Sequence, residues 1–189
     1  MRFQQTLRML CVLGCVLMTA AHAEGNRKMD IDVEISDGEV RADVSLFVRA
    51  TRQRVWEVIN DYDGAADFMR GLRESRVIAR TGDTLRVYQK DTFRFGPFTF
   101  PVETVKDVKL IAPTRTESRL VRGSIDKYEA TTELVQEPGG TRIIYRSVAV
   151  PGSVLASFAS ESTVRRETEE RFSQLRAEIM RREQVALKQ

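Results

Sequence analysis

Three acids crowd into the stretch RVWEVINDYDGAADFMRGL, Arg54 to Leu72: Asp61, Asp63 and Asp67 follow closely on Trp56, the only Trp of the chain. Closely spaced carboxylates raise the possibility of a calcium loop, whose oxygen ligands sit at fixed positions of a turn. An EF-hand-type loop here would need an oxygen ligand where Ala65 stands, Gly at Ala66 and a Glu at Leu72, and it fails at each. The acids read instead as a helix-ending turn, their short side chains accepting from free backbone N–H groups, and no metal is expected. Trp56 shares an apolar stripe with Val55, Val58 and Ile59, which makes it a core anchor first and one end of a cavity wall second.

Composition removes other chemistries. MRFQQTLRMLCVLGCVLMTAAHA has Arg2 and Arg8 in front, an apolar run from Met9 to Ala21, and small residues at Ala21 and Ala23. It reads as a cleaved secretory signal covering residues 1–23, so the expected location is periplasmic or secreted. The second reading is a lipoprotein box ending at Cys15. Cys11, Cys15 and His22 all lie inside this segment, leaving about 166 residues with no Cys and no His. Such a chain has no disulfide, no Ser-His-Asp or Cys-His nucleophile and no ordinary zinc site. Enzymatic readings must then rest on carboxylates, Tyr, Lys or Arg. Lys+Arg number 28 against 27 Asp+Glu beyond the signal, and the charges alternate along the elements, so no nucleic-acid partner is expected.

The elements that would position a site follow from periodicity. MDIDVEIS and EVRADVSLFVR alternate around Asp37-Gly38, which predicts a hairpin. Thr51 is a candidate N-cap for a helix that ends near Asp63-Gly64, with a second short helix over Ala65 to Met69. Six strands are predicted at 73–80, 84–93, 98–110, 114–121, 126–136 and 141–149, punctuated by Gly, Pro and Asp turns that leave no room for crossover helices. A long helix is predicted from Val154 to about Leu187. Its stripe is Val164, Thr168, Phe172, Leu175 and Ile179, with Glu161-Arg165 and Glu178-Arg182 on its wet face.

This order, with several local patterns, resembles the START/Bet v1-like superfamily, within it the polyketide cyclase/dehydrase and coenzyme Q-binding branch. The resemblance is carried by Arg54-Val55-Trp56-Glu57-Val58-Ile59-Asn60-Asp61-Tyr62-Asp63 with Phe68-Met69, by Gly123-Ser124-Ile125-Asp126-Lys127-Tyr128-Glu129, and by Gly139-Gly140-Thr141-Arg142-Ile143-Ile144-Tyr145 before Pro151. It covers about residues 40 to 182. Where relatives often carry Gly and an aromatic after the Tyr-Glu pair, this chain has Ala130, Thr131 and Thr132. The resemblance implies an α+β helix-grip fold, a strongly bent antiparallel sheet wrapped around a long C-terminal helix with short helices after the first long strand. It also implies a ligand cavity between sheet and helix, with no obligatory cofactor. Residues 24–39 would form an N-terminal extension with an extra strand, and 40–189 the ligand-binding domain.

Strand alternation assigns the candidate walls: Leu85, Val87 and Gln89; Phe98, Phe100 and Val102; Tyr128 and Thr132; Ile143 and Tyr145. Tyr88, Arg119 and Glu133 fall on the solvent side unless a buried Arg-Glu pair forms. Phe93, Phe95, Phe98 and Phe100 flank Gly96-Pro97 and read either as buried strand faces or as an aromatic lip meeting a hydrophobic ligand or a membrane. Phe158 lies in a second apolar connector, the buried start of the helix or the opposite lip. The candidate ligand-binding set is therefore Trp56, Val87, Gln89, Phe93, Phe95, Phe98, Phe100, Tyr128, Thr132, Tyr145 and Phe158. The first functional reading is an exported, non-catalytic carrier of a hydrophobic small molecule such as an isoprenoid, quinone or lipid, with transient membrane contact. The alternatives are a cyclase/dehydrase-type enzyme for a polyketide-like chain, favoured by two or more converging ionisable groups in the cavity, and an envelope interaction module using the charged long helix.

Overall fold

The computed structural model describes residues 29–95, 98–157 and 159–188. The expected signal segment, the Cys15 alternative, the Gly96-Pro97 turn and Phe158 lie outside the described residues. Strands β1 (Asp30–Ser36) and β2 (Glu39–Val48) form the predicted hairpin. Asp37 at φ 52° and Gly38 at φ 79° supply the two left-handed residues that a tight primed turn demands. Thr51 then caps α1 (Arg52–Ile59), its hydroxyl accepting from the Arg54 N–H at 3.2 Å. The short α2 (Ala65–Phe68) follows.

Six further strands come in one run: β3 (Glu74–Thr81), β4 (Thr84–Phe95), β5 (Phe98–Ile111), β6 (Arg115–Gly123), β7 (Ile125–Glu137) and β8 (Gly140–Pro151). All eight belong to one antiparallel sheet in the order β1-β2-β8-β7-β6-β5-β4-β3, so the α1–α2 connection carries the chain from one side of the sheet to its far edge. The extra strand β1 extends the sheet at the edge beyond β2. Register shifts place one unpaired residue in each of three strands, Ile78 in β3, Val121 in β6 and Asp126 in β7. Such bulges bend and twist a strand, which curves the sheet around what lies on its concave face.

That face receives α4 (Glu161–Ala186), which follows a short α3 (Ser153–Ala156). The single helix predicted from Val154 is thus two. Ser157 Oγ donates back to the Ser153 carbonyl at 3.2 Å, and Ser160 starts α4 afresh by accepting from Thr163 N–H at 3.3 Å; serines compete for helix-end hydrogen bonds in this way. The predicted stripe divides. Leu175 and Ile179 are buried with Val44, Leu46, Val48, Val55, Val58, Leu134 and Ile143 in the main core, whereas Val164, Thr168 and Phe172 line an open space.

The expected wet face of α4 is also partly an inner face. Glu178 is buried and holds both Arg181 and Arg182, and Arg182 reaches Asp61 Oδ2 at 2.7 Å, pinning the turn between α1 and α2 to α4. Glu183 Oε1 accepts from Thr51 N–H at 3.1 Å, and Arg165 turns to the Ile31 carbonyl of β1 rather than to Glu161. Asp61 Oδ1 accepts from Gly64 N–H at 3.0 Å and Asp63 Oδ1 from Val77 N–H at 2.7 Å, the backbone-satisfying role expected of these acids.

Candidate ligand cavity

Between the sheet and the N-terminal half of α4 lies a cavity of about 290 Å³. Its walls come from Val40, Ala42 and Ala149 at the β2–β8 side, Phe93 and Val102 at the β4–β5 side, and Leu155, Val164 and Phe172 above. An inner lobe of about 200 Å³ continues toward α1 and α2, where Val58, Ile59, Tyr62, Phe68, Met69 and Leu72 close it. The two lobes share Gln89, Lys106, Tyr128, Tyr145, Arg171 and Phe172. Among the described residues this shared wall holds the two cationic groups of the lobes, Lys106 and Arg171.

Each polar group on it is held by a neighbour. Lys106 Nζ donates to Gln89 Oε1 at 2.6 Å and sits 5.2 Å from the centre of the Tyr128 ring, an ammonium over an aromatic face. Gln89 is fixed in turn, its amide donating to Ser75 Oγ at 3.1 Å. The Tyr128 and Tyr145 hydroxyls meet at 3.0 Å, and the Tyr145 ring tilts 59° against Phe172 at 5.2 Å. Arg171 pairs with Asp91, whose other oxygen accepts from Thr92 N–H at 2.7 Å.

Burial sets the protonation of these groups. Lys106 faces the cavity and not bulk water; desolvation, joined by the positive charge of Arg171 and partly opposed by Asp91, brings its pKa from 10.5 down to about 8. Tyr128 is pushed well above its ordinary value by burial first and by Tyr145 second, and Tyr62 is pushed up by burial. Both phenols are therefore hydrogen-bonding groups at neutral pH, and Lys106 is the group whose charge lies within reach of modest pH change.

Of the predicted site residues, Gln89, Phe93, Tyr128 and Tyr145 line the main cavity, and Thr132 lines the inner lobe with Tyr128 and Tyr145. Trp56 does not reach either lobe and packs on the main core with the rest of the α1 stripe. Val87 points to the concave side but is fully buried with Leu85 and Val108. Phe98 is 56% exposed and Phe100 half-buried, and neither lines a lobe: on the β4–β5 side the cavity is walled by Phe93 and Val102, further from these strand ends. The Phe95 side chain and Phe158 lie outside the described residues. Arg119 pairs with Glu129 and Glu133 with Arg115 at the exposed side of the sheet, so the alternative of a buried Arg-Glu pair is not realised.

Lys106, Asp91 and Arg171 are charged wall residues that sequence reasoning passed over. A signal for two of them was present: Val102, Thr104 and Lys106 continue one alternation, as do Gln89, Asp91 and Phe93, and the pairings Gln89 with Thr104 and Asp91 with Val102 put both series on the same face.

An open, bulged sheet gripping one long helix over a mostly apolar cavity defines a START-like, helix-grip ligand-binding domain. Residues 48–178 match the family model described as polyketide cyclase / dehydrase and lipid transport, and the chain belongs to that family. Solved structures share the fold at low identity. A STAR-related lipid transfer protein fragment from Xanthomonas axonopodis superposes with a TM-score of 0.67 at 17% identity, covering 85% of this chain and 97% of its own. A protein from Thermus thermophilus gives 0.63 at 20% identity, with 75% and 97% covered. The Zhui aromatase/cyclase from Streptomyces sp. R1128 gives 0.60 at 12% identity, with 76% and 95% covered. No curated protein matches the sequence.

Proposed function

We propose that the protein is an exported carrier that holds a hydrophobic small molecule, an isoprenoid, quinone or lipid, in the cavity between sheet and α4. The observation that carries this reading is the make-up of the main lobe: apolar side chains such as Val40, Ala42, Phe93, Val102, Leu155 and Val164 form most of its wall, and Gln89, Lys106, Arg171 and the tyrosine pair stand where it meets the inner lobe. Burying about 200 Å² of apolar ligand surface contributes about 5 kcal/mol before the costs of immobilisation, and the polar wall fixes orientation. A volume near 290 Å³ lies at the small end of ligand pockets, which favours one tail or a compact ring over a two-tailed lipid. The likeness to a lipid transfer protein supports the reading at the level of fold. Native mass spectrometry of protein purified from its own cell envelope is expected to find a bound hydrophobic molecule and an N-terminus near Glu24. Protein that is always empty and ignores hydrophobic probes would overturn the carrier reading, and an intact N-terminus would overturn the export reading.

A second reading, a cyclase/dehydrase-type enzyme, is favoured by the convergence of Lys106, the Arg171–Asp91 pair and the Tyr128–Tyr145 pair on one wall. General acid/base work there would fall to Lys106, with the tyrosines donating hydrogen bonds to a ligand carbonyl. Turnover of a poly-β-ketone thioester mimic that disappears in Lys106→Met would move the assignment to this reading.

A further inference from the structure

The shared wall carries more positive than negative charge. Lys106 and Arg171 face the space where the lobes meet, and Asp91, the one carboxylate among the described residues of the main lobe's wall, is already engaged with Arg171 and with the Thr92 N–H. Asp61, the carboxylate of the inner lobe, is likewise taken up by Arg182 and the Gly64 N–H. Among the described residues no carboxylate pairs with Lys106; its partners are the neutral Gln89 oxygen and the Tyr128 ring. An ammonium left with neutral partners inside a protein is costly unless something else supplies the counter-charge. The other polar groups around it, the Gln89 amide, the Tyr128, Tyr145 and Tyr62 hydroxyls, and the guanidinium of Arg171, are neutral or positive. The cavity thus lacks one anion at the junction of its lobes, beside an apolar space with room for one tail.

Resting on the carrier reading above, we propose that the cavity takes a single-chain amphiphile with a singly charged, carboxylate-like head, which lies between Lys106 and Arg171 and accepts from the Tyr128–Tyr145 hydroxyl pair. The tail fills the lobe walled by Phe93, Val102, Leu155 and Val164. A head of this kind takes over from Gln89 as the oxygen acceptor of Lys106 and supplies the missing charge. Neutral alcohols and sterol-like ligands would gain the apolar contacts and forgo the charge.

The test is displacement of the neutral probe N-phenyl-1-naphthylamine from the purified protein by laurate, by 1-dodecanol and by dodecylamine. At pH 7 laurate is expected to displace the probe at a concentration at least about tenfold below dodecanol, with dodecylamine weaker still. Raising the pH from 7 to 9.5 removes the Lys106 proton while laurate stays ionised. Laurate affinity should therefore fall about tenfold across that range and dodecanol affinity should not change. Lys106→Met should bring laurate to the dodecanol level and abolish the pH dependence. Probe binding with equal displacement by laurate and dodecanol would overturn the anionic head and leave the carrier reading standing. Probe binding with displacement by neither would overturn it as well, and failure to bind the probe at all would sink both. The wild-type pH series stands as the test by itself if Lys106→Met does not fold.

Discussion

Glu178→Gln tests whether the contact between α4 and the α1–α2 turn is what holds the inner end of the cavity shut. The Glu178 side chain is 9% exposed and its carboxylate accepts from Arg181 Nε at 2.8 Å, Arg181 Nη2 at 2.7 Å and Arg182 Nε at 2.6 Å. The Arg181 hydrogen bonds are the largest cause of its lowered pKa, burial opposes them, and Arg182 adds to them; the result is a fall from 4.5 to about 2. At about 1.4 kcal/mol per tenfold change, that fall corresponds to about 3 kcal/mol. Arg181 is 63% exposed, so water screens its share and about 2 kcal/mol is the magnitude to test. The variant strands no charge, because Arg182 keeps Asp61 and Arg181 can turn to solvent. A carboxylate with a depressed folded pKa stabilises fully above its unfolded value near 4.5 and loses that contribution as pH falls toward 2. Urea unfolding should therefore give a gap between wild type and variant of about 2 kcal/mol at pH 7, shrinking to about 1 kcal/mol at pH 3. An equal gap at both pH values, or none at pH 7, would refute the assignment. If the junction closes the cavity, the variant should also release a bound hydrophobic probe faster.

Lys106→Met should raise stability at pH 7 by about 2 kcal/mol, since the fold suppresses the charged form; correspondingly, wild-type stability should climb from pH 8 to pH 10, and a flat profile would count against a buried ammonium. Tyr128→Phe should cost about 1 kcal/mol by leaving the Tyr145 hydroxyl without its partner, while the double replacement Tyr128→Phe with Tyr145→Phe costs less than the sum of the single changes; additivity in a double-mutant cycle would mean the hydroxyls do not depend on each other. Gly140→Ala should lower the thermal midpoint and cost about 2–3 kcal/mol, because a Cβ there would run into the Val48 carbonyl and lie 2.7 Å from the Phe47 ring; a neutral outcome would mean that the backbone of β2 gives way at Val48.

How much of this was legible in the sequence differs between backbone and site. Strand positions were readable because turn chemistry is local: Asp37-Gly38, Ala112-Pro113 and Pro138-Gly139-Gly140 each mark a strand end within a residue or two. The curvature was not readable, because the bulges at Ile78, Val121 and Asp126 arise from pairing between strands and leave no period of their own. The site shows the same divide more sharply. Alternation puts Gln89, Tyr128 and Tyr145 on the inner face and they line the cavity, yet the same alternation carries Lys106 and Asp91 inward, where charge on a strand ordinarily signals solvent. For Asp91 what overrides that rule is Arg171, 80 residues away in sequence, which only the descent of α4 across the sheet brings to the same wall; Lys106 has the Gln89 oxygen and the Tyr128 ring instead. Trp56 packs on the core, the first reading of its apolar stripe, and its secondary place as a cavity wall is taken by Val58 and Ile59, further along α1. Asp63 and Asp61 hold the turn to β3 and α4, and the charged groups of the main cavity wall, Asp91, Lys106 and Arg171, lie on β4, β5 and α4. A ligand preference that follows Lys106 through its titration would tie function to that placement, since Lys106 is the cavity-wall group whose charge changes between pH 7 and 9.5.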